Sequence, residues 1–120
     1  RSTLFPYTTL FRSGSCALSG GQKQRLTIGT AMASSKPIVV LDEPTSGLDW
    51  GNMCAVAQAI NQLRESGRLV FVITHDIELV DLTATRVLAL AEGRIADDFP
   101  LSSQAALERT RQAMLGGGLL

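Results

Sequence analysis

The chain has 120 residues, eleven basic against eleven acidic, with 45% hydrophobic and 5% aromatic residues. That length predicts one domain at most, and nothing argues for nucleic acid, since there is no basic run and no aromatic–basic interleaving. Apolar runs such as 69–73 and 87–91 are five residues long, far short of a membrane span.

Cys16 and Cys54 lack CxxC spacing and neighbouring ligand clusters, so they read as free thiols of a reducing compartment. Residues 3–13, Thr-Leu-Phe-Pro-Tyr-Thr-Thr-Leu-Phe-Arg-Ser, look like the in-frame translation of a common sequencing-library adapter, and all eleven codons agree. Such a scar is set aside before fold reasoning. Setting it and the residues before it aside removes Arg1 and Arg12, leaving nine basic residues against eleven acidic, and takes Phe5, Tyr7 and Phe11, half of the aromatics. The natural chain is then expected to start near Gly14, as a fragment whose N-terminal portion lies upstream. The expected divisions are 1–13 as the adapter-derived segment, 14–100 as the structured body and 101–120 as a terminal helix with a flexible tail.

In chain order, Leu18-Ser-Gly-Gly-Gln-Lys-Gln-Arg25 comes first. Ser19 is a good N-cap, and the paired glycines allow close approach of a backbone or ligand. A helix is predicted from Gly21 or Gln22 to Ser34, with Leu26, Ile28, Ala31 and Met32 available to pack. Its N-terminus offers unpaired N–H groups and partial positive charge, a ready anion site; an ordinary capped helix would look the same. Next comes Ile38-Val-Val-Leu41, which reads as a strand buried on both faces. It delivers Asp42 and Glu43 at its C-terminal end, where open α/β sheets place their ligands. Two adjacent carboxylates repel unless a cation or a task offsets the cost, although capping the next segment would also account for them.

After Asp49 a helix is predicted from Asn52 to Glu65, with Met53, Val56, Ala57, Ile60 and Leu63 in one apolar stripe and Gly67 as its stop. A second apolar strand, Leu69 to Thr74, ends at His75-Asp76. Strand, helix and strand at this spacing make a βαβ unit with parallel strands. Asp42, Glu43 and His75 are therefore expected at one edge of the sheet. A short helix (77–84), a strand (86–90), a hairpin turn at Ala91-Glu-Gly-Arg94 and a return strand (94–98) follow. A terminal helix is predicted from Ser102 to Met114, capped by Ser102 or Ser103 and docked through Ala106, Leu107, Ala113 and Met114. The three glycines at 116–118 are expected to end order.

Three motifs thus stand in fixed order: LSGGQKQR at 18–25, IVVLDEPTSGLD at 38–49 and VFVITHD at 70–76. Together they resemble the C-terminal half of the ATP-binding cassette (ABC) ATPase domain, with its signature, Walker B, D-loop and switch histidine. The resemblance runs from Leu18 to about Phe99. It implies an α/β, partial P-loop NTPase fold: a parallel sheet with helices, lacking the N-terminal half. It also implies ATP and Mg²⁺ as ligands. Asp42 would help hold Mg²⁺, mainly through water. Glu43 would polarise the attacking water as general base, a role worth roughly 10²–10⁴ in rate. His75 would hydrogen-bond the γ-phosphate. Ser19, Gly20, Gly21 and Gln22 would contact the γ-phosphate of a nucleotide bound mainly to a partner cassette, and Asp49 would report across that dimer interface.

No GxxxxGK[ST] occurs in the 120 residues, and Lys23 cannot replace its lysine because it sits on the signature helix. The chain by itself is therefore expected to have no ATPase activity, although its parent domain is read as an ABC-type ATPase. The stretches SGLDWGNM, VITHDIELV and TATRVLALAEGRI look like the ATPases of energy-coupling factor importers. That implies a second ATPase domain and transmembrane subunits as partners, and a place on the cytoplasmic face of the membrane. The weighed alternatives are a soluble ABC ATPase of DNA repair or translation, disfavoured by the compact spacing of signature and Walker B, and a truncated remnant that does not catalyse. Intact Glu43 and His75 argue against degeneration of the parent.

Overall fold

A computed structural model describes residues 20–115, and the side chains from residue 26 onward. The chain divides into two compact units, the first ending at Ile73 and the second beginning at Thr74.

The first unit contains helix α1 (Gly20–Ala33), strand β1 (Ile38–Asp42), helix α2 (Trp50–Glu65) and strand β2 (Leu69–Ile73). β1 and β2 pair in parallel, in the register Ile38↔Leu69, Val40↔Phe71 and Asp42↔Ile73, as the βαβ reading requires. α2 buries the whole predicted stripe: Met53, Val56, Ala57, Ile60 and Leu63. Each of the four larger side chains contributes ~1.5–3 kcal/mol on leaving water, and Ala57 less. The helix starts earlier than expected because Asp49 is its N-cap: the carboxylate accepts from the Asn52 N–H at 2.8 Å. It stops where Gly67 enters the left-handed region at φ 88. Gly67 N–H donates to the Arg64 carbonyl at 3.0 Å and Arg68 N–H to the Leu63 carbonyl at 3.4 Å, the paired bonds of a Schellman motif.

One expectation is corrected. β1 is buried on one face only. Val39 and Leu41 are buried, but Ile38 and Val40 on β1 and Leu69, Phe71 and Ile73 on β2 are exposed. Strand alternation puts these on the opposite face from Val39 and Leu41, and among the described residues of this unit no element covers it. On α1, Ile28 is buried and Ala31 half-buried, but Leu26 and Met32 are exposed. Only the side of α1 that meets α2 is needed for packing.

The second unit contains helix α3 (Ile77–Thr83), strands β3 (Arg86–Ala91) and β4 (Arg94–Pro100), and helix α4 (Gln104–Leu115). β3 and β4 form an antiparallel hairpin with a register shift at Ala89/Leu90. Its turn residues Glu92 and Gly93 have φ 52 and 74, the two positive values a type I′ hairpin requires. Ser103 caps α4, its hydroxyl accepting from the Ala106 N–H at 3.2 Å. Leu107 and Thr110 are buried. Arg109 stacks over the Phe99 ring at 4.2 Å and forks onto Asp97. Arg86 donates to Asp98 at 2.7 Å, and that carboxylate raises the guanidinium pKa above its ordinary value. Cys54 is a free, half-buried thiol; Cys16 lies outside the described residues, as do residues 3–13 and 116–118. No helix among the described residues is long and apolar enough to cross a membrane.

Candidate functional site

The end of β1 is where the backbone departs from ordinary geometry. Asp42 is the last strand residue and exposed. Glu43, half-buried, sits at φ 48. A non-glycine residue in that region is strained by roughly 1–2 kcal/mol, and such strain persists where the surroundings over-determine it. They do here. The Glu43 N–H donates to the Ile73 carbonyl at 2.8 Å, extending the β1–β2 ladder by one bond, and the Glu43 carbonyl accepts from the Ser46 N–H at 3.2 Å. Pro44 and Thr45 are buried behind it. Gly47 at φ 75 then turns the chain toward Asp49. Two neighbouring carboxylates are thus presented at the C-terminal edge of a parallel pair on a fixed loop.

Gly20, Gly21 and Gln22 form the first turn of α1. The first N–H groups of a helix lack internal partners and carry partial positive charge, which suits an anionic ligand. Ser19, the expected cap, lies outside the described residues. The opposite end of α1 revealed a residue that sequence reading passed over. The Arg68 guanidinium donates to three carbonyls there: Ala31, Met32 at 3.1 Å and Ser34 at 2.6 Å. The available signal was indirect, namely that α1 has no basic residue in its own last turn.

Asp49 is exposed, with its Oδ1 engaged by Asn52 as the α2 cap. His75 is exposed and belongs to the second unit, in the segment following β2. Its neighbours hold its backbone from both sides. The Asp76 N–H donates to the Thr74 hydroxyl at 3.0 Å. The Asp76 carboxylate caps α3 by accepting from Glu78 and Leu79 at 3.2 and 3.4 Å. The structure therefore brings Asp42 and Glu43 together at one strand end and places Gly20–Gln22 and Asp49 at two helix N-termini of the same unit.

Comparison with known proteins agrees with this architecture. The protein-family model described as "ABC transporter" matches residues 4–46. An ABC transporter ATP-binding protein of Treponema denticola is 44% identical over 82 residues, covering 68% of this chain and 17% of that protein. The energy-coupling factor transporter ATP-binding protein EcfA of Methanococcus maripaludis is 42% identical over 78 residues, 65% of this chain and 28% of that protein. The chain thus spans well under two thirds of the relatives it matches. Among solved structures, a dimeric ATP-binding cassette, MJ0796, in a post-hydrolysis state with ADP and Pi, superposes with a TM-score of 0.62 at 34% identity. The superposition covers 72% of this chain and 37% of that one. A second dimeric structure of the same cassette gives a TM-score of 0.63. The chain therefore carries part of the α/β fold of the ABC ATPases.

Proposed function

We propose that this chain is the signature and Walker B portion of an ATP-hydrolysing subunit that powers a membrane importer of the energy-coupling factor type. The observation that carries the catalytic part is Glu43: a carboxylate beside Asp42 at a strand end, held at φ 48 and tied to β2 through Ile73. In this reading Glu43 accepts a proton from the water that attacks the γ-phosphorus, while the bond to the ADP oxygen breaks. Phosphoryl transfer asks mainly for such positioning and electrostatics, not for covalent chemistry by the protein.

Asp42 fits Mg²⁺ as one hard oxygen ligand of an ion that otherwise keeps water and phosphate oxygens. When bound, Mg²⁺ neutralises charge on the transferring phosphates. Ser19, Gly20, Gly21 and Gln22 would serve a nucleotide held mainly by a second cassette, with Asp49 at the same dimer interface. His75 would meet the γ-phosphate from beyond β2. Transmembrane subunits would complete the importer at the cytoplasmic face of the membrane. The dimeric state of the MJ0796 cassette and the similarity to EcfA support the reading of partner and class.

The test uses the full-length gene product. Phosphate release should depend on Mg²⁺ and fall by about 10²–10⁴ in Glu43→Gln, with nucleotide still bound. Turnover indifferent to that substitution would refute the assignment. Sequencing the source DNA across the codon for Gly14 decides the origin of residues 3–13. Discontinuity there, with an in-frame GxxxxGK[ST] upstream, is the expected result; adapter-like codons continuous with genomic sequence would overturn it.

A further inference from the structure

We propose that Arg68 is a positioning residue for the phosphate-facing end of α1, a role that rests on the functional reading above. The observation is its triple contact. Two nitrogens of one guanidinium reach the carbonyls of Ala31, Met32 and Ser34, across more than thirty residues of sequence. These carbonyls lie in the last turn of α1 and just beyond it, where helix carbonyls lack internal partners and carry partial negative charge. α1 supplies no basic residue of its own in that turn. Arg68 provides the missing cation from outside the helix.

The clamp also ties two functional parts together. Arg68 leaves the Gly67 turn at φ 88 and immediately precedes β2, whose first residue, Leu69, donates to the Pro37 carbonyl at 2.9 Å at the base of β1. One end of α1 is thus fixed to the base of the two strands whose other end presents Asp42 and Glu43. α1 has 14 residues and is about 21 Å long. A tilt of only about 3° about the clamped end moves Gly20 and Gly21 by about 1 Å, and a misplacement of that size can cost ~10²-fold in rate. The geometry assigns Arg68 to holding that angle.

The experiment compares full-length wild type, Arg68→Ala and Arg68→Lys. Nucleotide affinity is read on the isolated monomer, kcat and KM on phosphate release, and amide hydrogen exchange over residues 20–25. Arg68→Ala should lower kcat about 10- to 100-fold, leave monomer affinity unchanged, and speed exchange in the first turn of α1. Arg68→Lys keeps the charge but loses the fork, so it should recover part of kcat. A purely structural role would lower the melting temperature and the fraction of folded enzyme while kcat per folded molecule stayed at the wild-type value. That result, in a protein whose turnover does depend on Glu43, overturns the assignment of Arg68 alone. Turnover that ignores Glu43→Gln overturns the functional reading instead.

Discussion

Glu43 combines two unfavourable features, a carboxylate next to another carboxylate and a backbone at φ 48. Substitution separates them. Glu43→Gln keeps the strain and removes the base, so full-length protein should lose turnover while its stability changes by no more than about 0.5 kcal/mol. Glu43→Gly removes both and should be equally inactive yet more stable by ~1 kcal/mol, because glycine enters the left-handed region without penalty. Paired thermal melts and phosphate-release assays check this. A Glu43→Gly protein that melts below wild type would show that contacts of the Glu43 side chain outweigh the relief of its left-handed backbone. A second residue-scale test concerns His75, whose segment is pinned through Asp76. Asp76→Ala deletes the α3 cap bonds to Glu78 and Leu79 and should cost ~1 kcal/mol. Asp76→Asn retains an accepting oxygen and should cost less. If the cap also orients His75, turnover follows the same order, with Ala below Asn; equal turnover in both would separate the cap from the histidine.

At the scale of elements, the hairpin turn is the clearest place to gain stability without touching the candidate site. Glu92 occupies a left-handed position that asparagine tolerates better, and Asn-Gly is the strongest type I′ pair. Glu92→Asn should stabilise the β3–β4 unit by about 0.5–1 kcal/mol and leave phosphate release unchanged. A drop in melting temperature would mean that Glu92 makes contacts worth more than the turn. This hairpin was legible in the sequence because Glu-Gly between two short strands is a local signal. So were the α2 stripe, the Gly67 stop and the parallel pairing of β1 with β2, each set by spacing over a few residues or by one crossover. The α2 start is less legible, because Asp49 closes the SGLD motif and caps the helix at once. Arg68 was missed because its three partners are remote in sequence. The strain at Glu43 was missed for a different reason: a glutamate before proline carries no mark of positive φ.

For the whole molecule, the feature least legible in the sequence is the sheet. Apolar runs such as Ile38–Leu41 and Leu69–Ile73 say that a strand can be buried on both faces, but not which chain segments supply the cover. In the structure Ile38 and Leu69 are 56% and 53% exposed and lie opposite each other, with Val40 opposite Phe71 and Ile73 at the far end. This is a contiguous apolar face on a two-stranded sheet, and neither β1 nor β2 has a second strand partner among the described residues. Open strand edges pair with other chains, and exposed apolar patches of this kind drive association. The 120-residue chain made alone should therefore self-associate, seen by light scattering as mass that grows with concentration. Lysine at both Val40 and Phe71 adds charge to the centre of that face without touching Val39 or Leu41, whose side chains are buried on the other side. The double variant should shift the population toward monomer and retain the circular dichroism of α2 and the strands. A wild-type chain that stays monomeric and melts in one sharp transition would show that the face is closed in solution. In a protein long enough to cover this face, the same double substitution should have the opposite effect, because two charges would then be buried without partners. The sign of the change therefore reports whether the sheet is covered: a gain in soluble monomer for the isolated chain, a loss of stability for the full-length protein.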